Sequence, residues 1–213
     1  MPPCPCGEVV SFWKETYGDL PSGVGPRDAL TRPRTRGYDA RMDMHLVRHA
    51  IAFDRDAGRW PDDRDRPLTP AGIERFQRVA KAVVRIVPTV ESHLASPLVR
   101  AWQTAEILSE AGWPKPQRCE ELAAGCEAEA VLAILKKARG AESLALVGHE
   151  PNLHELLGLL LAGESDRELV EFKKGGLACV RFAGAPRAGA GRLRWLLPPR
   201  VLLGESRSAE AET

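Results

Sequence analysis

The chain has no apolar run near the roughly 18 residues that a membrane-spanning helix needs. Its first residues, MPPCPCGEVVSFWKE, lack the basic segment and apolar stretch of a secretory signal. Cysteine is scarce: there are five, an odd number, with no C-x-x-C pair. That argues against a disulfide framework and for reduced thiols, so a cytoplasmic location is expected. Cys4 and Cys6 lack a matching second pair, and no zinc site is expected from them. A dominant charge is missing too. Thirty Lys and Arg against 29 Asp and Glu leave a formal charge of +1, so no global field points to nucleic acid or a membrane as partner. There is no internal repeat of fixed period and no carboxylate cluster at metal-ligand spacing. The partner has to be argued from a site.

What is present is ordinary globular material. Of 213 residues, 44% are apolar and 28% charged, enough for one domain with a normal core. Residues 1–43 are rich in Pro, Gly and Arg without lasting period and are expected to be a disordered or loosely attached extension. Within them EVVSFWKETYG can form a short helical turn or two. Met42 and Met44, just before the first clear strand, are candidates for a later translation start, which the sequence does not decide. The folded domain is expected over residues 44–200, followed by a polar tail over 201–213.

From Met44 the pattern becomes regular. MHLVR, ESHLAS and SLALVGH read as buried strands, and GGLACVRFA and GRLRWLLPP as a late antiparallel pair at a sheet edge. LTPAGIERFQRVAKAVVRIV reads as a helix with Thr69 as N-cap, Pro70 at its first position, an apolar stripe from Ile73 to Val83, and Pro88 as its stop. SPLVRAWQTAEILSEAG reads as the next, with Ser96 as N-cap, Pro97 at the first position and Gly112 beyond the end. EAEAVLAILKKARG and PNLHELLGLLLAG are two more. Alternating strands and helices predict an α/β fold: a three-layer α/β/α sandwich whose central sheet is mostly parallel, with an antiparallel edge.

In such sheets ligands bind beyond the carboxyl ends of the strands. Three segments end a strand with unusual polar residues: LVRHA with Arg48 and His49, ASPLVR with Arg100, and LVGHEP with His149. Two arginines, two histidines and a helix N-terminus at one edge suit a tetrahedral dianion, because guanidinium forks match phosphate oxygens. Neighbouring positive charge keeps an imidazole neutral, and so nucleophilic. The expected chemistry is covalent: His49 takes a phosphoryl group and water removes it, while Arg48, Arg100 and His149 stabilise the charge. This scheme uses no metal and no cofactor.

LVRHA, SPLVRAWQTAEIL and LVGHEPNL, in that order, resemble the histidine phosphatase superfamily in its RHG/RHA variant. The resemblance runs from Met44 to about Leu197. RHAIAFDRDAGRWPDDRDRPLTPAGIERF is similar to the SixA-type protein-phosphohistidine phosphatases, which place an acidic, Trp-bearing loop and RPLTxxG after the first motif. The resemblance implies a phosphoglycerate mutase-like fold. It implies His49 as the phosphorylated residue, with Arg48, Arg100 and His149 completing a substrate-binding pocket. It implies a monomer, and as partner a phosphohistidine-bearing protein of a signalling relay, or else a small phosphate compound. Ala50 stands where Gly is common. Ester-cleaving members use a glutamate as general acid, and Glu121 in CEELAAG is the candidate here, with Glu120 as rival. Phosphohistidine needs less help to leave than an alkoxide, because a protonated imidazole is a good leaving group. A missing acid would therefore favour phosphoramidates.

Other residues receive plainer expectations. His154, His93 and His45 are expected to be structural. Gln103 and Thr104 are explained by helix packing, and Lys173 and Lys174 by a turn into a strand. A substrate contact from Trp60 or Asp63 is a minority reading. The alternatives to a phosphohistidine phosphatase are a small-molecule phosphomonoesterase of the same superfamily, and a binding module that keeps the phosphate pocket but turns over little.

Overall fold

The computed structural model describes residues 41–136, 141–166 and 169–206. Cys4, Cys6, the EVVSFWKETYG segment, residues 1–40 of the expected extension and residues 207–213 of the expected tail lie outside them. Among the described residues six strands form one sheet: β1 (Arg41–Arg48), β2 (Ser92–Ala95), β3 (Gln117–Arg118), β4 (Ser143–Gly148), β5 (Leu177–Ala183) and β6 (Arg192–Leu197). The order is β3-β2-β4-β1-β5-β6. The first four in that order run parallel; β5 is antiparallel to β1, and β6 to β5. The helices are α1 (Pro70–Ile86), α2 (Val99–Ala111), α3 (Ala128–Leu135), α4 (Asn152–Ala162) and the single turn α5 (Pro199–Leu202).

Each central strand is buried on both faces. Met44, Leu46, Leu144 and Leu146 point into a core with α3 and α4; Val47, Ala145 and Val147 point into a second core with α1 and α2. That two-sided burial explains why these strands read as unbroken apolar runs. The three-layer α/β/α sandwich with a mostly parallel sheet and an antiparallel edge is therefore present as expected. The two-residue β3 and the turn α5 are too short to leave a sequence pattern, and β1 begins three residues before Met44.

The ends of α1 follow the local chemistry. Thr69 caps it by accepting from the Gly72 N–H at 2.9 Å, and Pro70 takes the first turn, where a missing N–H costs nothing. Phe76, Val79, Ala80 and Val83 form its buried stripe. For α2 the expectation is corrected. The helix starts at Val99 with Leu98 as N-cap, without a side-chain cap. Ser96 and Pro97 stay outside it, and the Ser96 hydroxyl lies against His149, as described below. The leucines of α4 are core, with Leu153, Leu156, Leu157 and Leu160 buried.

Register is what assembles the site. Arg48 pairs with Gly148 across β1 and β4, and Ala95 pairs with Val147 across β2 and β4. The residues that follow, His49, His149 and Ser96, therefore leave the sheet level with one another. The His49 N–H donates to the Gly148 carbonyl at 3.0 Å and the Ser96 N–H to Val147 at 2.9 Å, extending both ladders past the strand ends.

Candidate active site

His49, Arg100 and His149, three of the four expected pocket residues, are nearly inaccessible, at 7%, 2% and 2% exposure. The ring centroids of the two histidines lie 5.1 Å apart. His49 Nδ1 is 2.7 Å from the Ala50 carbonyl oxygen. A carbonyl only accepts, so Nδ1 carries the proton and Nε2 keeps its lone pair. Burial pushes the His49 pKa down to about 3, and the charges of Arg100, Arg48 and Arg66 push the same way. His49 is thus held neutral at physiological pH. His149 is lowered to about 2, by burial first and then by His49 and Arg100. Its Nε2 lies 2.8 Å from the Ser96 hydroxyl, which also accepts from the Leu98 N–H at 3.3 Å.

The arginines are aimed by oxygens. Arg100, in the first turn of α2, donates from Nη1 to the Asp63 carbonyl at 2.8 Å, and its Nη2 lies 3.1 Å from Asp63 Oδ2. Arg66 is also buried; it meets the Asp63 carboxylate through Nε at 2.7 Å and the Phe53 carbonyl through Nη1 at 2.6 Å. Asp63 thereby sets two guanidiniums at once, and its own pKa is held down, chiefly by Arg66. Arg48 donates from Nη1 to the Phe172 carbonyl. The Nε groups of Arg48 and Arg100 and Nδ1 of His149 are buried and have no partner among the described residues. Buried donors without partners are costly, and a tetrahedral oxyanion is the kind of ligand that satisfies them.

The peptide around His49 is held from two sides. Thr104, one turn along α2 from Arg100, accepts from the Ala50 N–H at 3.0 Å and donates to the Arg100 carbonyl at 2.7 Å. Gln103 accepts from the Leu68 N–H at 2.8 Å. Both residues therefore do more than the packing expected of them: they join α2 to the loops carrying His49 and Arg66. On the other side the Gly175 N–H donates to the carbonyls of Arg48 and His49, at 3.1 and 3.0 Å. Gly175 has φ +75°, a conformation that side chains resist. Gly72, the glycine of RPLTPAG, is required for another reason. A Cβ there would come within 2.1 Å of the Ile51 carbonyl oxygen, because the first turn of α1 rests on the peptide just after His49 and Ala50.

The remaining candidates are placed as follows. Glu121 lies in a 3-10 turn, Glu120–Leu122, beyond the end of β3. Its carboxylate accepts from the Cys119 thiol at 3.5 Å. Glu120 pairs with Arg64 at 3.4 Å. Trp60 packs on Phe53 and under Arg59. His154 bonds Glu150 at 2.7 Å, and His93 bonds the Pro114 carbonyl at 3.0 Å. Three residues escaped the sequence reading as site components. Arg66 had a signal in its RPLT motif, and Thr104 in its spacing one turn after Arg100. Glu150 had only its place beside His149; burial raises its pKa, and its Oε1 is buried without a partner among the described residues. Among the described residues no group of three or more His, Cys, Asp or Glu could hold a metal ion, and no helix is long and apolar enough to cross a membrane.

Comparison with known proteins points the same way. The family model for the histidine phosphatase superfamily (branch 1) matches residues 44–126. An uncharacterized protein of Picosynechococcus is 38% identical over 168 residues, which cover 76% of this chain and 99% of that one. The structure of the protein histidine phosphatase SixA complexed with tungstate is 25% identical, with a TM-score of 0.64 over 76% of this chain and 99% of its own. A phosphoserine phosphatase mutant from Entamoeba histolytica, solved with phosphoserine, shares the fold at 16% identity and a TM-score of 0.56, over 75% of this chain and 98% of its own.

Proposed function

The chain belongs to the histidine phosphatase superfamily, and on that premise we propose that it removes phosphate from phosphohistidine on a signalling protein, by way of a phosphoryl group carried on His49. The observation that carries this reading is the bond from His49 Nδ1 to the Ala50 carbonyl, which leaves Nε2 as a neutral nucleophile beside three arginines. In the first step the Nε2 lone pair attacks phosphorus, the P–N bond to the substrate imidazole breaks, and that imidazole departs with the electron pair, neutral because its ring is protonated. In the second, water attacks phosphorus, the bond to Nε2 breaks, and orthophosphate leaves with the water's oxygen. Arg48, Arg66, Arg100 and His149 hold the charge on the equatorial oxygens in both steps. No step calls for a cofactor. SixA, a protein histidine phosphatase whose structure holds tungstate, a tetrahedral oxyanion, supports this substrate class.

A second reading, a small-molecule phosphomonoesterase, is favoured by the half-buried Glu121 in a turn packed against β4, the strand that delivers His149; Glu121 would then be the general acid for an alkoxide. One experiment separates the two. Wild-type and His49→Ala protein are each given a phosphohistidine-bearing phosphotransfer domain, p-nitrophenyl phosphate and a panel of sugar phosphates, and phosphate release is followed. Fast, His49-dependent release from phosphohistidine with slow ester cleavage is the expected result. Fast ester cleavage with phosphohistidine untouched moves the protein to the esterases and makes Glu121 the general acid. Tight substrate binding without release in wild type would leave a binding module.

A further inference from the structure

Arg48 has a second exposure. It also lines a groove of about 860 Å³ that runs past Ile51, two residues beyond His49. The floor is apolar, made by Leu196, Leu197 and Pro198 where β6 passes into α5. The rim is basic. Of its cations, Arg75 is neutralised by Glu205 at 2.6 Å and Lys173 is paired with Glu171. Lys174 and Arg200 are exposed and have no acidic partner among the described residues. In a chain with a formal charge of only +1, two unpaired cations beside Arg48 on one groove are a local asymmetry. Such asymmetry steers an anionic partner and fixes its orientation.

The groove is too large and too apolar for one more phosphate. A compact second anion wants converging forks, whereas Lys174 and Arg200 come from separate segments around a greasy floor. An extended peptide fits better, with its backbone and apolar side chains over Leu197 and Pro198 and its acidic side chains at the rim. Ile51, 39% exposed although aliphatic, would pack against the residue next to the phosphorylated one. We propose that this groove docks an acidic segment flanking the phosphohistidine of the substrate protein. The inference rests on the phosphohistidine reading above and adds the partner's local chemistry to it.

The test uses the full chain and two synthetic peptides with the same central phosphohistidine, one flanked by Asp and Glu, the other by Gln and Ser. Phosphoramidate serves as a substrate too small to reach the groove. Wild type is expected to prefer the acidic peptide by about tenfold or more in kcat/KM, through KM, with the preference shrinking as salt is raised. The double variant Lys174→Glu, Arg200→Glu should abolish the preference and leave phosphoramidate turnover within about twofold of wild type. The milder Lys174→Gln, Arg200→Gln pair should fall between. Equal kcat/KM for both peptides in wild type overturns the docking inference while leaving the phosphohistidine reading intact. A preference that survives charge reversal does the same. Parallel loss of phosphoramidate turnover would put Lys174 and Arg200 in the phosphate site and overturn it as well. Wild type that cleaves p-nitrophenyl phosphate but neither peptide nor phosphoramidate fails at the earlier step, and the phosphohistidine reading falls first.

Discussion

Two pairs of buried histidines lie on the same sheet with different fates. His49 and His149 leave the carboxyl ends of β1 and β4, while His45 and His93 sit inside β1 and β2. All four are nearly inaccessible, and burial is the largest cause of a lowered pKa in each: about 3 and 2 for the first pair, about 4 for each of the second. A depressed histidine pKa is therefore a mark of burial in this molecule, not of a site. The neighbours make the difference. His45 packs against Trp113 and Trp195 at 6.2 and 5.7 Å, and His93 meets the edge of Trp113 at 5.4 Å. No arginine is a cause of their shifts, whereas Arg100 and Arg66 act on both His49 and His149. Past the strand end the side chains meet the arginines of the loops and helix starts; inside the strands His45 and His93 meet tryptophan rings and, for His93, the Pro114 carbonyl.

The sharpest way to break this contrast is to exchange the roles. His49→Ala should cut phosphate release from phosphohistidine by at least about 10⁴-fold, whereas His45→Phe should leave it within about twofold, as steady-state rates will show. If the two variants lose activity alike, the division into site and core histidines is wrong. Arg100→Ala should cost about 10²–10³ in kcat, with Arg100→Lys recovering only part, because a lysine cannot keep both contacts to Asp63. Thr104→Val, near-isosteric, should lower kcat about tenfold with KM little changed, since it frees the peptide beneath the nucleophile. It should also cost about 1–3 kcal/mol in denaturant titration, for a buried N–H left unpaired.

The smallest effects separate activity from stability by pH. A histidine whose folded pKa is depressed is protonated more readily when unfolded. Its neutral burial is therefore fully tolerated above the unfolded value near 6.5, and stability falls as pH drops from there toward the folded value. Each of the four should contribute up to about 1.4 kcal/mol of loss per pH unit between about 6.5 and 4. His45→Phe should flatten that slope in thermal melts at pH 5 and 7.5 without touching turnover. The kcat profile of wild type should show no inflection near 6.5 from His49, since His49 stays neutral down to about 3. An inflection there that vanishes in a slow but active His149 variant would mean that burial does not protect the pair.

Much of the candidate site was legible because its residues abut strand ends and carry local signals. Arg48, His49, Arg100 and His149 each follow or closely trail an apolar run, and Thr69 and Pro70 announce α1 by capping chemistry. Ser96 misled because its sequence neighbourhood matches an N-cap, while its hydroxyl bonds a histidine more than fifty residues away. Asp63 and Arg66 sit in a polar loop whose composition alone reads as solvated; only the arrival of Arg100 gives the Asp63 carboxylate a buried guanidinium from outside that loop. The Lys173–Lys174 turn likewise looked like a plain connection before β5, yet its following glycines hold the backbone of Arg48 and His49.

From its order of residues alone the chain determined alternating strands and helices, two cores set by strands buried on both faces, and an Arg-His pair delivered to a strand end. Those are consequences of periodicity, burial and backbone sterics acting over a few residues. The folded chain alone decided that β1 and β4 run side by side with Arg48 level with Gly148, so that two histidines a hundred residues apart come within 5.1 Å. It alone placed Asp63 between Arg66 and Arg100, and the basic groove beside Arg48. Strand register and loop closure are settled by contacts between distant segments, whose energy exists only once both are in place.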